Sequence, residues 1–416
     1  MANQINLSSQ LEQALLPEAF VFLQKAARTS ATLGFRVFLV GGAVRDMLLG
    51  RTGFDLDLSV EGDAIELVRA LAENPADVTV HHRFNTARLK WDGYHLDLAR
   101  SREETYGRPG ALPTVRPSSI ENDLSRRDFS INAMAISLNQ GDWGRLTDLH
   151  GGIVDIENRV IRVLHPNSFI DDATRLWRAV RYEQRLGFAI EPETLKFFRR
   201  DIPMLDTITP DRQRYELECV LEEAFPENIF QRAEELGLLK TWHPALHADE
   251  WLVNACTRAR SLVEKPSPEI YLALLGWRLS RQQKEELIAR LRLTRRQNRA
   301  LNEASIIAEG LSLLASPQAS PSRISGLLRS LGDGILLAGL AAVESDLASA
   351  NIKYFIETWC HIAPELNGND LKKLGVPQGP EVKKLLEELR DQRLDGRMIN
   401  RSDEETFIRA RLEHLV

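Results

Sequence analysis

Val37-Phe-Leu-Val-Gly-Gly-Ala-Val-Arg-Asp46, with Phe54-Asp-Leu-Asp-Leu-Ser-Val60 close behind it, sets the terms for the whole chain. The first stretch runs from an apolar strand through two glycines into the helix signal of Val44 to Leu49. Glycines at such a turn let a ligand approach the backbone, and a helix start offers N–H groups that suit a phosphate. A Gly-Gly turn alone is equally the sequence of an empty tight turn. In the second stretch the period of two puts Asp55 and Asp57 on one face, with Leu56, Leu58 and Val60 on the other. Two carboxylates ~7 Å apart beside a phosphate-binding turn make a seat for divalent cations.

Working outward, Asn85 to Trp91 and Tyr94 to Ala99 read as strands flanking Asp92-Gly93, a strong hairpin signal. The second of them carries Asp97, pointing opposite to Leu96 and Leu98, so it can stand beside Asp55 and Asp57 in one sheet. Three acceptor-only groups facing one another repel unless cations neutralise them. The trio therefore implies metal, and two Mg²⁺ ions could activate a primer 3′-hydroxyl and stabilise leaving pyrophosphate. Nucleotidyl transfer is the expected reaction.

At 416 residues the chain exceeds what one hydrophobic core usually serves, so several domains are expected. Strand signals concentrate in the first third and the pattern turns helical after about Ile153, which makes the fold class α+β. Ala315 to Ser322 and Gly375 to Pro380 are the linker candidates. No apolar run approaches the ~20 residues of a spanning helix; neither secretion nor membrane insertion is expected, and the protein is read as cytoplasmic. Cys219, Cys256 and Cys360 are odd in number and widely spaced, which leaves buried apolar packing as their expected role. The histidines show no ligand spacing.

The 53 basic and 59 acidic residues leave a net charge of −6, which taken alone opposes nucleic-acid binding. The distribution reverses that reading. Arg159 to Arg200 holds nine basic residues against five acidic ones, and Arg278 to Arg299 holds eight against two. Two basic faces on an acidic chain suit a docked polyanion.

Gly41-Gly-Ala-Val-Arg-Asp46, Asp55-Leu-Asp57 and Arg126-Arg-Asp-Phe-Ser-Ile-Asn-Ala-Met-Ala135 follow the order, spacing and wording of successive motifs in bacterial CCA-adding tRNA nucleotidyltransferases and their poly(A) polymerase relatives. The chain resembles that family over nearly its whole length, through Asp148-Leu-His-Gly-Gly-Ile-Val-Asp155, Asp171-Asp-Ala-Thr-Arg175 and Asn369 to Pro380. The resemblance implies a nucleotidyltransferase head with a small mixed sheet over residues 1–155. It further implies a helical neck that recognises the base over 156–216, then a helical body over 217–325 and a helical tail over 326–416, both binding tRNA. By the same likeness Gly42 and Arg45 contact the incoming nucleotide and Asp55 and Asp57 are the metal ligands. Asp97 becomes the third catalytic carboxylate, while Arg127 and Asp128 hold ribose and phosphates. Mg²⁺ as cofactor, CTP and/or ATP as substrates, and the acceptor stem and 3′ end of tRNA as partner follow from it; no membrane or protein partner does. Leu98 to Ser125, with Tyr106-Gly-Arg-Pro109, departs from the longer Arg-Arg-Pro form associated with full CCA enzymes, so CC-only addition, A-only addition and poly(A) synthesis stay open. Retention of all three acids speaks against a catalytically inactive RNA-binding protein.

Ser168-Phe-Ile-Asp171 reads as a capping box opening a helix, with Asp171 as cap. Projected at 100° per residue, Ala173, Leu176, Trp177 and Val180 form its buried stripe. Arg175, Arg178 and Arg185 then fall on the opposite face, with Asp172 and Arg181 at its edges, which is also the pattern of a solvated arginine face. The family resemblance gives this helix the reading of the base edge. Asp172 and Arg175 are the expected pair, Arg178 and Arg181 further nucleotide contacts, and Asp171 stands where the family usually has Glu. An Asp acceptor takes the exocyclic amine of C or A while Arg donors face the ring nitrogen, and G and U present the wrong pattern. Thr209-Pro-Asp-Arg-Gln-Arg-Tyr-Glu216 reads as a capped helix start with an Arg212–Glu216 pair one turn apart, bracing the helix.

Overall fold

The computed structural model describes residues 5–53, 55–91 and 94–413, and the chain divides into two compact units, Met1–Glu216 and Leu217–Val416. The first unit is built on a seven-stranded mixed sheet in the order β3-β4-β5-β2-β1-β8-β9. Its strands are β1 Arg36–Val40, β2 Leu56–Glu61, β3 Val78–His81, β4 Thr86–Trp91, β5 Tyr94–Arg100, β8 Met134–Ser137 and β9 Leu146–Asp148. β6 Arg102–Thr105 and β7 Thr114–Pro117 form a separate hairpin. The apolar runs Val37 to Val40 and Met134 to Ser137 are buried on both faces, as befits the middle of a sheet. β1 pairs antiparallel with β2 and with β8, and Phe38, Val40 and Ala135 pack against Ile120 and Leu124 of the Ile120–Ser125 helix.

β2 and β5 run parallel, with Asp57 opposite Asp97 in the register. Hence the strand carrying the glycine turn and the strands carrying the acids lie side by side. The strand expected from Phe54 begins at Leu56, so Asp55 stands just before it; Phe54 lies outside the described residues. The turn expected at Asp92-Gly93 also falls outside them, while β4 and β5 pair antiparallel up to Trp91 and Tyr94.

The expected capping box at Ser168 does not form. The segment makes a four-residue turn, Ser168–Asp171, capped by no side chain, and the long helix starts at Thr174 and runs to Leu186. Asp172 takes over the capping, its Oδ1 accepting from the Thr174 backbone N–H at 3.0 Å and from its hydroxyl at 2.7 Å. Ser168 is occupied elsewhere, because its Oγ accepts from Arg175.

The second unit is helical. Leu366, Leu371, Val376, Leu385, Leu389, Met398 and Ile408 make a core near its end, into which the carboxylate of Glu404 is sunk. That charge is offset by the backbone N–H groups of Glu365 and Leu366 and by Arg393. Ala315 to Ser322 is a turn inside this unit, with Ser322 bonded to Asp395, and not the division between units. Lys284, one of the basic residues of Arg278 to Arg299, is not on a basic face but buried on Ser305 Oγ. Of the cysteines only Cys256 is buried; Cys219 is half-buried and Cys360 is exposed. No single helix among the described residues is long and apolar enough to cross a membrane.

Candidate active site

A cavity of about 940 Å³ opens in the first unit, within the size range of nucleotide-sized ligands. Its lining includes the glycine turn with Asp55 and Asp57, then Asp128 and Arg178, and Asp172, Arg175 and Arg212. The turn needs glycine at Gly41. Its φ is +68°, and a Cβ there would lie 2.7 Å from Arg127 Nη1. Gly42, the glycine singled out from the sequence, has ordinary room.

Asp57 is partly buried beside two other acids, and its carboxyl is pushed up to about 6 by burial, with Asp97 and Asp55 adding to the effect against Arg127 and Arg88. A carboxyl held so high is a place where a cation would be welcome. Asp97 stands beside Asp57 in the register, but both its oxygens accept from Arg88, each at 2.7 Å. No group of three or more metal-ligating side chains forms among the described residues. Asp55 and Asp57 are the residues here that could hold a cation such as Mg²⁺, since that ion commonly takes one or two carboxylates and fills its remaining positions with water and phosphate oxygens.

The Arg126 to Ala135 segment forms a buried network. Asp128 Oδ1 accepts from the Phe129 N–H at 2.8 Å and from Asn132 Nδ2 at 3.1 Å, while Oδ2 accepts from Arg178 Nε at 2.9 Å and Nη2 at 2.5 Å. Burial alone would raise the Asp128 carboxyl, but Arg178 and Asn132 outweigh it and hold it at about 2. Arg45 is a strut in the same network, forked onto Asp46 and bonded to Asn132 Oδ1 at 2.6 Å. Arg126 and Arg127 both bond to buried Asp123. The Tyr182 ring has the guanidinium carbons of Arg45, Arg178 and Arg185 at 5.3, 5.5 and 5.7 Å from its centroid.

Because its folded value lies below the ordinary 3.8, Asp128 contributes stability that is present above pH 4 and is lost as the pH falls towards 2. Urea melts across that interval are expected to show a loss of ~2 kcal/mol from this group in the native protein and much less in Asp128→Asn. Equal losses in both proteins would show that the pair with Arg178 does not set this titration.

The arginine helix is the main correction to the sequence reading. Arg175 and Arg181 are each 5% exposed, so they line no solvated face. Arg175 donates to Ser168 Oγ at 2.6 Å and to the Arg126 carbonyl at 2.7 Å, fastening the helix to the motif that holds Asp128. Arg181 lies 3.5 Å from Glu216, whose carboxyl burial pushes up against the pull of Arg181 and Arg178. The expected Arg212–Glu216 pair is absent, since Arg212 Nη2 reaches across to Asp172 Oδ1 at 2.6 Å. Asp172 therefore meets Arg212. Asp171 faces His165 at 3.7 Å and is absent from the cavity lining. Asn132, Tyr182 and Tyr106 also line the cavity; Asn132 and Tyr106 lie within Arg126 to Ala135 and Tyr106 to Pro109, whereas no local signal marks Tyr182.

Two acids beside a glycine turn, lining one cavity with an acid–arginine pair, fit a nucleotidyltransferase. The Poly A polymerase head domain matches residues 37–162, and the probable RNA and SrmB-binding site of polymerase A matches residues 187–250. An A-adding tRNA nucleotidyltransferase of Halalkalibacterium halodurans is 32% identical over 98% of this chain and 96% of its own. One from Geobacter sulfurreducens is 33% identical over 92% of this chain, which spans only 46% of that longer relative. The Thermotoga maritima CCA-adding enzyme complexed with tRNA superposes with a TM-score of 0.76 at 28% identity, covering 99% of this chain and all of that one. The chain belongs to the tRNA nucleotidyltransferase and poly(A) polymerase family.

Proposed function

We propose that this protein adds AMP from ATP to the 3′ end of tRNA that already ends in CC, releasing pyrophosphate. The observation that carries the choice of nucleotide is the near end-to-end match to an A-adding enzyme. Asp172 Oδ1 is taken by Arg212 and Thr174, which leaves Oδ2 to accept from the adenine amine. Cytosine offers the same pattern, so CC or full CCA addition is the competing reading.

Asp55 and Asp57 would hold Mg²⁺, which when bound supplies positive charge to the reacting phosphoryl group and makes the primer hydroxyl easier to deprotonate. Asp97, neutralised by Arg88, shapes the field at Asp57. The glycine turn, Gly42 and Arg127 border the phosphates and ribose, with Arg45 and Asp128 fixing the surrounding frame. Residues 217–325 and 326–416, as body and tail, carry the tRNA, and the exposed Arg281, Arg296 and Arg299 offer charge to its backbone. The activity belongs in the cytoplasm, where tRNA ends are repaired.

Purified protein, Mg²⁺ and tRNA transcripts ending before the CCA, in C, in CC and in CCA, each with a single labelled nucleoside triphosphate, test the reading. One AMP on the CC transcript and nothing on the others is expected. CMP on the shorter transcripts would replace A-addition with CCA-addition, and no labelling at all would end the proposal.

A further inference from the structure

We propose that Tyr106 is a stacking residue whose ring covers one face of the incoming base while Asp172 and Arg212 meet the base's edge. The inference rests on the function proposed above for the same cavity. Tyr106 follows β6 and lines that cavity together with Asp172, Arg175 and Arg212. Its ring has no aromatic or cation–π partner among the described residues, yet it is fixed in place at both ends of the hairpin. At the base, the Tyr106 hydroxyl donates to Glu104 Oε2 at 2.9 Å, and Glu104 is itself held by Arg102 and Arg126, each at 2.9 Å. Burial, reinforced by Glu104, raises the phenol far above its ordinary value, so it stays a donor.

At the tip, Gly110 accepts from Arg212 Nη1 through its carbonyl at 3.4 Å. Gly110 has φ +69°, and a Cβ there would sit 2.3 Å from Thr207 Oγ1, so the tip is pressed against the segment that precedes Arg212. The same guanidinium uses Nη2 to hold Asp172. One arginine thus braces both the loop that carries the ring and the acid that reads the edge. Edge contacts decide which base enters but leave its faces wet, and an aromatic wall supplies affinity to any base.

Binding of ATP and of ribose 5-triphosphate, which has phosphates and sugar but no base, is measured by calorimetry for wild type, Tyr106→Ala and Tyr106→Phe. Loss of one stacking partner predicts a Kd for ATP raised ~10-fold in Tyr106→Ala, with the base-free probe bound as in wild type. Tyr106→Phe keeps the ring and is expected within about twofold of wild type for ATP, on the same stacking argument. A Tyr106→Phe as weak as Tyr106→Ala would make the residue a hydroxyl brace and overturn the proposal. So would equal weakening of both probes in Tyr106→Ala, or no change in either. If wild type labels no tRNA while these binding results hold, the proposed function fails and the stacking role stands.

Discussion

Replacing Asp55 or Asp57 by alanine is expected to lower AMP incorporation by ~10³-fold or more, the rate equivalent of several kcal/mol of charge stabilisation at the transferred phosphoryl group. The fold should survive. Asp57 is raised by burial and by its acidic neighbours, so its contribution to stability is present below pH 4 and is lost as the pH rises through about 6. At pH 7.5 the ionised group works against the metal-free fold, and Asp57→Ala or Asp57→Asn should melt no lower than wild type. Added Mg²⁺ should raise the Tm of wild type and leave that of Asp57→Asn where it was. Single-turnover incorporation together with thermal melts checks all of this. Unchanged turnover in either alanine variant removes the paired-carboxylate mechanism.

The second large effect concerns the choice of base. Asp172→Asn keeps an acceptor for the Thr174 cap but can turn the other side-chain position into a donor, which repels the adenine amine and suits the carbonyl oxygens of G and U. The kcat/KM for ATP should fall by ~10- to 100-fold, the range of one lost base contact, and the preference over GTP and UTP should narrow. A defect in tRNA binding would scale all four nucleotides alike on one fixed primer. Such equal scaling would take the edge-reading role away from Asp172. Arg175→Ala is a poorer probe. Its guanidinium ties Ser168 to the Arg126 carbonyl, so its removal should cost stability before it alters selectivity.

The head was legible in the sequence because its signals are local. Period-two strands and the glycine turn predict Asp55, Asp57 and Asp97 on neighbouring strands; Asp57 does stand opposite Asp97, and Asp55 just precedes its strand. The neck was not legible in the same way. A helical wheel treats every arginine as a solvent-facing residue, whereas Arg178 is drawn in by Asp128, fifty positions earlier, and Arg212 by Asp172, forty positions earlier. Near neighbours misled for the same reason. Ser168 looks like a cap and is spent on Arg175, and Glu216 looks like the partner of Arg212 and is faced by Arg181. Lys284 and Cys360 show the limit from the other side, since burial and exposure there follow from packing that composition does not encode.

The proposed function requires one cavity of this chain to hold the reacting phosphates at Asp55 and Asp57 and to read the base at Asp172 by protein alone. A crystal of the protein with tRNA ending in CC, a non-transferable ATP analogue and Mn²⁺, with anomalous data collected, tests it directly. An anomalous peak is expected ~2.1–2.2 Å from carboxylate oxygens of both Asp55 and Asp57, near the coordination distance of small hard divalent ions. The adenine amine is also expected within hydrogen-bond reach of Asp172 Oδ2. Metal away from those two acids, or an adenine edge met by tRNA or by solvent in place of Asp172, would contradict it.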